Sequence, residues 1–429
     1  MNLPLPSTSS SVSRRAFVAT VALAGGARAW DNGVIRVGII GCGGRGEAAA
    51  MNAMNAGKDI RIVAMGDVLM DRVQEKRANL RKRYPEQMQA PDDHCFAGFD
   101  AYRHVIAASD VVVVANAARF HPVHLMAAVD AGKHVFLEKP HAIDPAGIRL
   151  LRAGCDRART KGLSVVSGLQ SRYHPGYIET LARVADGAIG NIVAIQETWL
   201  RGPYVLYPRR AGMKEIVHHA SNQYHFNWLS GDDVPQTLIH NLDRSSWALG
   251  NAAPVRAFGM GGRSTLHGEI YGNVFDHHSV VYDFPNGVRV FAICRTIDNC
   301  YGENSSLIMG AKGRCDLLKL RITGEQNWQH PGSTSKNNAY DLEHVALFNS
   351  IRQGKPINNG DYMVRSTLIT LMGQFSCYTG QEVTWDAITA SEFAYPPRDA
   401  EISEATEPPV KPGPDGTYPV FTPGVTRLL

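Results

Sequence analysis

The 429-residue sequence contains no apolar run of the ~20 residues that a membrane-spanning helix requires. It also lacks a Lys/Arg block. Its 44 basic and 40 acidic residues are interspersed and leave a formal net charge of +4, so the electrostatic footprint of a nucleic-acid binder is missing. Cysteines are few and odd in number: Cys42, Cys95, Cys155, Cys294, Cys300, Cys315 and Cys377. Their spacing fits no zinc pattern, and mostly buried free thiols are the expectation, with a Cys294–Cys300 pair left open. Internal repeats are absent as well, which sets aside solenoids and propellers.

What remains has ordinary globular composition, 44% hydrophobic and 20% charged, on a chain long enough for two cores. The N-terminus departs from it. Ser13-Arg14-Arg15-Ala16-Phe17-Val18 is followed by a short apolar stretch from Ala16 to Ala24 and by Ala27-Arg28-Ala29, a small-x-small cleavage site. Charge, apolar run and cleavage site in that order read as a twin-arginine export signal over residues 1–29, with a mature chain starting near Trp30. The expected partner is the twin-arginine export machinery, and the expected location periplasmic or otherwise exported, without stable membrane insertion.

Residues 30–168 alternate strand and helix patterns. Ile35–Ile40, Ile60–Met65, Asp110–Ala115, His134–Leu137 and Ser164–Gly168 read as strands. Glu47–Asn55, Asp71–Tyr84 and Pro122–Ala131 read as helices between them, and Asp144 with Pro145 opens another. This alternation predicts an α/β domain with a doubly wound parallel sheet. From residue 169 to 395 the pattern changes. Tyr177–Ala185, Val234–Leu249 and Leu342–Gln353 read as helices. Ile192–Leu200, Val255–Met260, Val274–Asp283 and Val288–Arg295 read as strands, the last two joined through Asn286-Gly287. A second, α+β domain with a largely antiparallel open sheet is expected. Between its first strand and next helix, residues 201–233 are irregular and rich in His, Tyr, Trp and Arg. Residues 396–429, with six prolines after Glu404, read as an extended arm.

The chemistry-bearing motifs sit at strand ends. Gly41-Cys42-Gly43-Gly44-Arg45-Gly46 follows a strand and opens a helix, the context in which G-x-G-x-x-G binds a dinucleotide. Gly41 permits the turn, Gly43 lets the backbone approach a pyrophosphate, and Gly46 lets helix and strand pack closely. Asp67 ends the second strand, where a carboxylate holds a ribose 2′-hydroxyl and repels a 2′-phosphate. NAD is therefore favoured, and Arg72 is near enough to leave NADP open. Glu138-Lys139-Pro140 follows a buried strand, at the edge where open α/β sheets bind ligands.

These segments, with His121 and Gly168-Leu169-Gln170-Ser171-Arg172-Tyr173, resemble the glucose–fructose oxidoreductase, inositol dehydrogenase and rhizopine-catabolism family (Gfo/Idh/MocA) over about residues 34–386. The resemblance implies an NAD(P)-dependent oxidoreductase in which Lys139 lies beside the nicotinamide and the reacting hydroxyl. It places cofactor contacts on the glycine loop, Asp67, Asn116, His121, Glu138, Lys139 and Gln170. It also implies an Asp and a His four residues on. Here His240 matches the histidine, but Gln236 stands at the aspartate position. Glutamine cannot exchange a proton, though it can hydrogen-bond a hydroxyl. Either His240 acts with Lys139 alone, or Asp243 orients it, or the chemistry differs. Lys139 and His240 are thus the catalytic candidates, and Arg172, Tyr173, Gln236 and Asp243 join them as substrate-binding candidates.

The expected substrate is a carbohydrate or polyol, no metal is expected, and the family implies a homo-oligomer. Outside the inner membrane there is no soluble NAD pool, so export implies a cofactor that is retained and re-oxidised in the same site. Two other classes stay open. One is an NAD-dependent glycosidase that oxidises, eliminates, hydrates and reduces, using His218, His219, Tyr224 or His225 as an added acid–base group. The other is a non-catalytic sugar-binding protein on the same fold.

Overall fold

The computed structural model describes residues 33–268, 270–332, 338–397 and 402–429. Residues 1–29, read above as an export signal, lie outside them. The first domain runs β1 (Ile35–Ile40), α1 (Gly44–Asn55), β2 (Ile60–Asp67), α2 (Met70–Arg83), β3 (Cys95–Ala97), α3 (Ala101–Ala108), β4 (Val111–Val114), α4 (His121–Asp130), β5 (His134–Leu137), α5 (Pro145–Thr160) and β6 (Val165–Ser167). All six strands are parallel, in the order β3-β2-β1-β4-β5-β6. Helices cover both faces, which is why β4 can be four valines, all buried. Asp144 caps α5 by accepting the Gly147 N–H at 2.7 Å, and Pro145 fills the first helical position. Strand order reverses between β1 and β4, and the crevice outside their C-terminal ends is where such sheets bind ligands.

The second domain contains α6 (Pro175–Ala185), β7 (Ile192–Arg201), α7 (Glu215–Ser221), α8 (Asn227–Ser230), α9 (Ile239–Ala248), β8 (Arg256–Gly262), β9 (His277–Asp283), β10 (Arg289–Thr296) and β11 (Glu303–Gly310). It continues through β12 (Gly313–Asp316), β13 (Arg321–Gly324), β14 (Trp328–Gln329), α10 (Ala339–Arg352), α11 (Gly360–Thr379), β15 (Val383–Thr384) and α12 (Trp385–Ala390). Its nine strands are ordered β14-β13-β12-β11-β7-β10-β9-β8-β15, antiparallel except for the central β7–β10 pair. One face of this sheet packs on α11 and α9, so β10 alternates Val290, Ala292 and Cys294 inward with more exposed neighbours. The β9–β10 hairpin turns at Asn286 and Gly287, both at positive φ (68° and 78°), as the Asn-Gly pair predicts.

The structure departs from the sequence reading in three places. The helix expected over Val234–Leu249 opens with a π-helical turn, Val234–Leu238, before α9 begins. Pro235 lies in that turn and brings no N–H to a regular ladder. The strand expected from Val274 starts at His277. Asp276, just before it, keeps main-chain bonds to Gly262 and Thr296, while its Oδ2 takes the N–H groups of Ser264, Thr265 and Leu266 at 2.7, 2.7 and 3.2 Å. The longest helix of the described residues, α11, carries no polar stripe, because it is buried on almost every side. The arm, described from residue 402, holds no helix or strand, and Tyr418 within it is buried.

Candidate active site

The chain must turn from β1 into α1 within three residues. Gly41 does so at φ 94°, and a Cβ there would stand 2.5 Å from the Asn116 nitrogen. A Cβ on Gly46 would fall 1.8 Å from the Gly41 carbonyl oxygen, so loop and helix pack only with glycine there. Gly43 and Gly44 are different: a Cβ on either would meet nothing within 4 Å. They flank the start of α1, whose first N–H groups have no partner within the helix. That open cradle fits the pyrophosphate of a dinucleotide. Cys42 turns away, its thiol buried on the Gly66 carbonyl, while its N–H donates to Asp67 Oδ2 at 2.7 Å.

Asp67 ends β2 and lines the same cleft. Its other oxygen accepts the Leu69 N–H at 3.1 Å, and burial pushes its pKa up despite these bonds. Arg72 lines the same cleft. It donates to the Ser221 carbonyl at 2.8 Å and lies 4.4 Å from the centre of the Tyr207 ring. Asn116, just after β4, has a buried Oδ1 with no hydrogen-bond partner. It sits in the wall shared by this cleft and its neighbour, where a nicotinamide riboside has room and an acceptor awaits a donor.

The neighbouring cleft gathers Glu138, Lys139, Gln236 and His240. Glu138 is buried and receives Arg45 Nε at 2.5 Å, and the same guanidinium lies 4.8 Å from the Tyr340 ring centre. Lys139, joined to Pro140 by a cis peptide, crosses the domain boundary and donates from Nζ to the Gln236 main-chain oxygen at 2.8 Å. Burial lowers its pKa to about 8, with Glu138 and Asp233 opposing and Arg201 and Arg45 reinforcing the shift. His240 lies on α9. Burial, then the nearby charges of Lys139 and Arg244, push its pKa well below the usual value, so the ring is neutral. Its Nδ1 is buried and unpartnered, which leaves Nε2 as the nitrogen a ligand can reach.

Several expected site residues stand elsewhere. The Gln236 side chain donates to the Ser230 carbonyl at 2.9 Å, and it is the main-chain oxygen that meets Lys139. His121 is buried behind the cleft. Its ring nitrogens sit 2.7 and 3.0 Å from the Pro140 and Asn116 carbonyls, so it braces both loops, and burial lowers its pKa to about 4. Gln170 touches the site only through Tyr340, donating to the phenol oxygen at 3.1 Å. Arg172, Tyr173 and Asp243 do not line the substrate cleft. Arg172 grips Asp243 with Nε–Oδ2 at 2.9 Å and Nη2–Oδ1 at 2.8 Å, and the Tyr173 hydroxyl donates to Asn359 at 2.9 Å. Three residues beyond His240, Asp243 is turned off the cleft into the packing against α11, where Ser366 also donates to it at 2.7 Å.

Among the four candidate acid–base groups of the irregular stretch, only Tyr224 lines the Lys139 cleft. His219 is buried against Phe226 with ring centroids 3.6 Å apart and takes the Trp228 indole N–H at 3.0 Å. His218 and His225 are buried too, and burial lowers both to about 4. The sequence reading missed Trp199, Arg201, Tyr204, Thr237 and Tyr340, which complete the walls. The richness of residues 201–233 in Tyr and Arg signalled Arg201 and Tyr204 by composition, but nothing marked Tyr340.

One buried trio, Asp233, His278 and Cys294, brings an oxygen, a nitrogen and a sulfur within 4.8 Å of one another. Hydrogen bonding accounts for it. Gln374 Oε1 takes the Val234 N–H at 3.2 Å, so its amide NH2 faces His278 Nε2 at 3.1 Å. His278 Nδ1 lies 3.7 Å from the Cys294 sulfur. All seven cysteines are free, with Cys300 exposed.

Comparison with known proteins bears on the fold and the family. The Gfo/Idh/MocA model, described as an oxidoreductase family with an NAD-binding Rossmann fold, matches residues 35–167. Inositol 2-dehydrogenase of Acidothermus cellulolyticus is 32% identical over 335 residues, covering 75% of this chain and 86% of the relative. Among solved structures, aldose-aldose oxidoreductase from Caulobacter crescentus complexed with glycerol superposes with a TM-score of 0.63 at 19% identity, over 82% of this chain and 99% of that one. GenD2 from gentamicin A biosynthesis, in complex with NAD, gives 0.62 at 17% identity, over 82% and 96%.

Proposed function

We propose, from the premise that this chain belongs to the Gfo/Idh/MocA family of NAD-dependent oxidoreductases, that it oxidises a secondary hydroxyl of a sugar or cyclic polyol. The observation that carries this reading is the junction of the two clefts. The cleft at the glycine cradle and the cleft of Lys139 and His240 share Arg45, Ala115, Asn116, Tyr204, Gln223 and Tyr224 in their walls. Aromatic walls from Trp199, Tyr204 and Tyr224 suit a ring with apolar faces and polar edges. The relatives that carry the names inositol 2-dehydrogenase and aldose-aldose oxidoreductase support that class.

NAD, when bound, supplies the hydride acceptor. Gly43, Gly44 and the start of α1 would hold its pyrophosphate, Asp67 its ribose, and Asn116 the nicotinamide end. Lys139 moves the proton. With a pKa near 8 rather than the ordinary ~10.4, a useful fraction of the amine is neutral at working pH. A substrate hydroxyl that replaces the Gln236 carbonyl as the partner of Nζ would give its proton to that amine. Neutral His240 orients the same hydroxyl through Nε2.

The twin-arginine motif supports an exported enzyme that keeps its nucleotide and returns the hydride to a second sugar. Denaturing purified protein and weighing the released nucleotide tests this directly. One NAD per chain, reduced on addition of an inositol or aldose, is the expected result. A protein that neither carries nor binds NAD, or whose NAD no sugar or polyol reduces, would remove the reading.

A further inference from the structure

The chain between β7 and α8 crosses the cofactor cleft. Tyr204, Tyr207, Ser221, Asn222 and Tyr224 line it together with the glycine loop and Asp67. The crossing is tied to the first domain through α2, beside the ribose-binding end of β2. Arg72 supplies the 2.8 Å bond to Ser221 and the stacking on Tyr207, and Arg210 pairs with Asp71 at 2.6 Å. The segment is also tied to itself. The Tyr207 N–H donates to Asn222 Oδ1 at 2.8 Å, Asn222 Nδ2 returns a bond to the Tyr207 carbonyl at 2.9 Å, and Tyr204 stacks on Tyr224 with centroids 4.2 Å apart.

A third attachment comes from the far end of the chain. Tyr418 is 1% exposed, with its ring edge-on to His219 and Phe226 at 5.5 and 5.0 Å. Its hydroxyl meets Glu215, receives Arg209 at 3.1 Å, and so joins the Arg209–Glu215 ion pair at 2.6 Å. Glu404 reaches Lys214 at 3.3 Å. The arm thus grips α7 and its approach, the part of the crossing that carries Ser221. Nothing in the hydride chemistry uses Tyr418, Glu215 or Arg209.

We infer that residues 204–224 are a strap over the adenosine half of the cofactor cleft and that the C-terminal arm locks it, so that dinucleotide leaves only after Tyr418 withdraws. The inference rests on the retained-cofactor reading above and gives that retention a mechanism. A strap held on both domains must break a charged hydrogen bond and a cation–π contact before the cleft opens.

The test is exchange of bound NAD for excess isotope-labelled NAD in the full-length protein, followed by mass spectrometry after rapid desalting. Tyr418→Phe keeps the buried ring and removes the hydroxyl. Its exchange should be about tenfold faster than wild type, the loss expected for one hydrogen bond to a charged group, with single-turnover hydride transfer unchanged. Arg72→Ala, which frees the strap from α2, should exchange at least as fast. Wild-type exchange in both variants, with urea midpoints intact, would overturn the strap. Acceleration in Arg72→Ala alone would overturn the lock. If wild-type protein arrives empty, the same exchange is run on added NAD. Faster dissociation in both variants then preserves the strap while the retained-cofactor reading falls.

Discussion

Lys139 and Arg172 are both cations at the junction of the two domains, and their surroundings give them opposite work. Arg172 is firmly paired. It holds Asp243 in two bonds, gives a third to Asn251 at 2.9 Å, and lies between Trp247 and Tyr362 with ring centres 4.8 and 4.7 Å away. Lys139 donates to a main-chain carbonyl, in a cleft where Arg201 and Arg45, themselves paired with Asp233 and Glu138, add to the fall in its pKa. A charge paired with a carboxylate and stacked on two rings holds a structure in place. A charge that is buried and under-answered is poised to exchange a partner or a proton. The same contrast divides His240 from Asp243 on one helix: an imidazole nitrogen reaching the cleft, and a carboxylate closed inside an ion pair.

Mutation should split these two clusters cleanly. Lys139→Ala is expected to lower turnover by about 10²–10⁴-fold, the range for a lost general acid–base group, while bound NAD and the urea midpoint stay near wild type. Asp243→Ala should do the reverse. Leaving Arg172 buried and unpaired costs about 3–5 kcal/mol of stability, read as a fall in urea midpoint, with turnover per folded molecule retained. If Asp243→Ala instead stopped turnover at unchanged stability, the ion pair would belong to the site and the division drawn here would fail. A milder probe is Gly43→Ala. Its Cβ meets no protein atom, so stability should hold, yet NAD affinity should fall by about 1–3 kcal/mol if pyrophosphate fills the cradle. Smallest of all, His218→Gln should leave hydride transfer within about twofold, since that ring is buried outside the Lys139 cleft. A large loss there would revive the glycosidase chemistry, which needs an extra acid–base group.

Legibility in the sequence followed the physics of each half. The parallel sheet was readable because strands buried on both faces are short, continuous apolar runs with polar helices between them, as in Val111–Val114. The second domain was readable only in part. Strands β12 to β14 are two to four residues long, too short to show alternation, and α11 hides its period by being buried all round. At the site, Gly41 and Asp67 were legible as strand-end residues with motif spacing, whereas Lys139 and His240 entered through the family resemblance, and the structure brings those two to one cleft. Asp243 and Arg172 were misplaced because helical spacing gives only an approximate direction, and the π-helical turn before α9 and the bulk of α11 decide which way Asp243 faces. Tyr340 and Tyr418 could not be found at all, since they arrive from regions more than a hundred residues away in sequence with no motif to mark them.

The central claim is that Lys139 takes the substrate proton as an amine whose pKa is about 8. The most direct test is single-turnover reduction of bound NAD by a saturating polyol, measured from acid to alkaline pH. Below its pKa the amine is protonated and cannot accept, so the rate should rise about tenfold per pH unit and level off above about 8, and Lys139→Ala should lose that limb. A wild-type profile that is flat, or that survives intact in Lys139→Ala, would contradict the account.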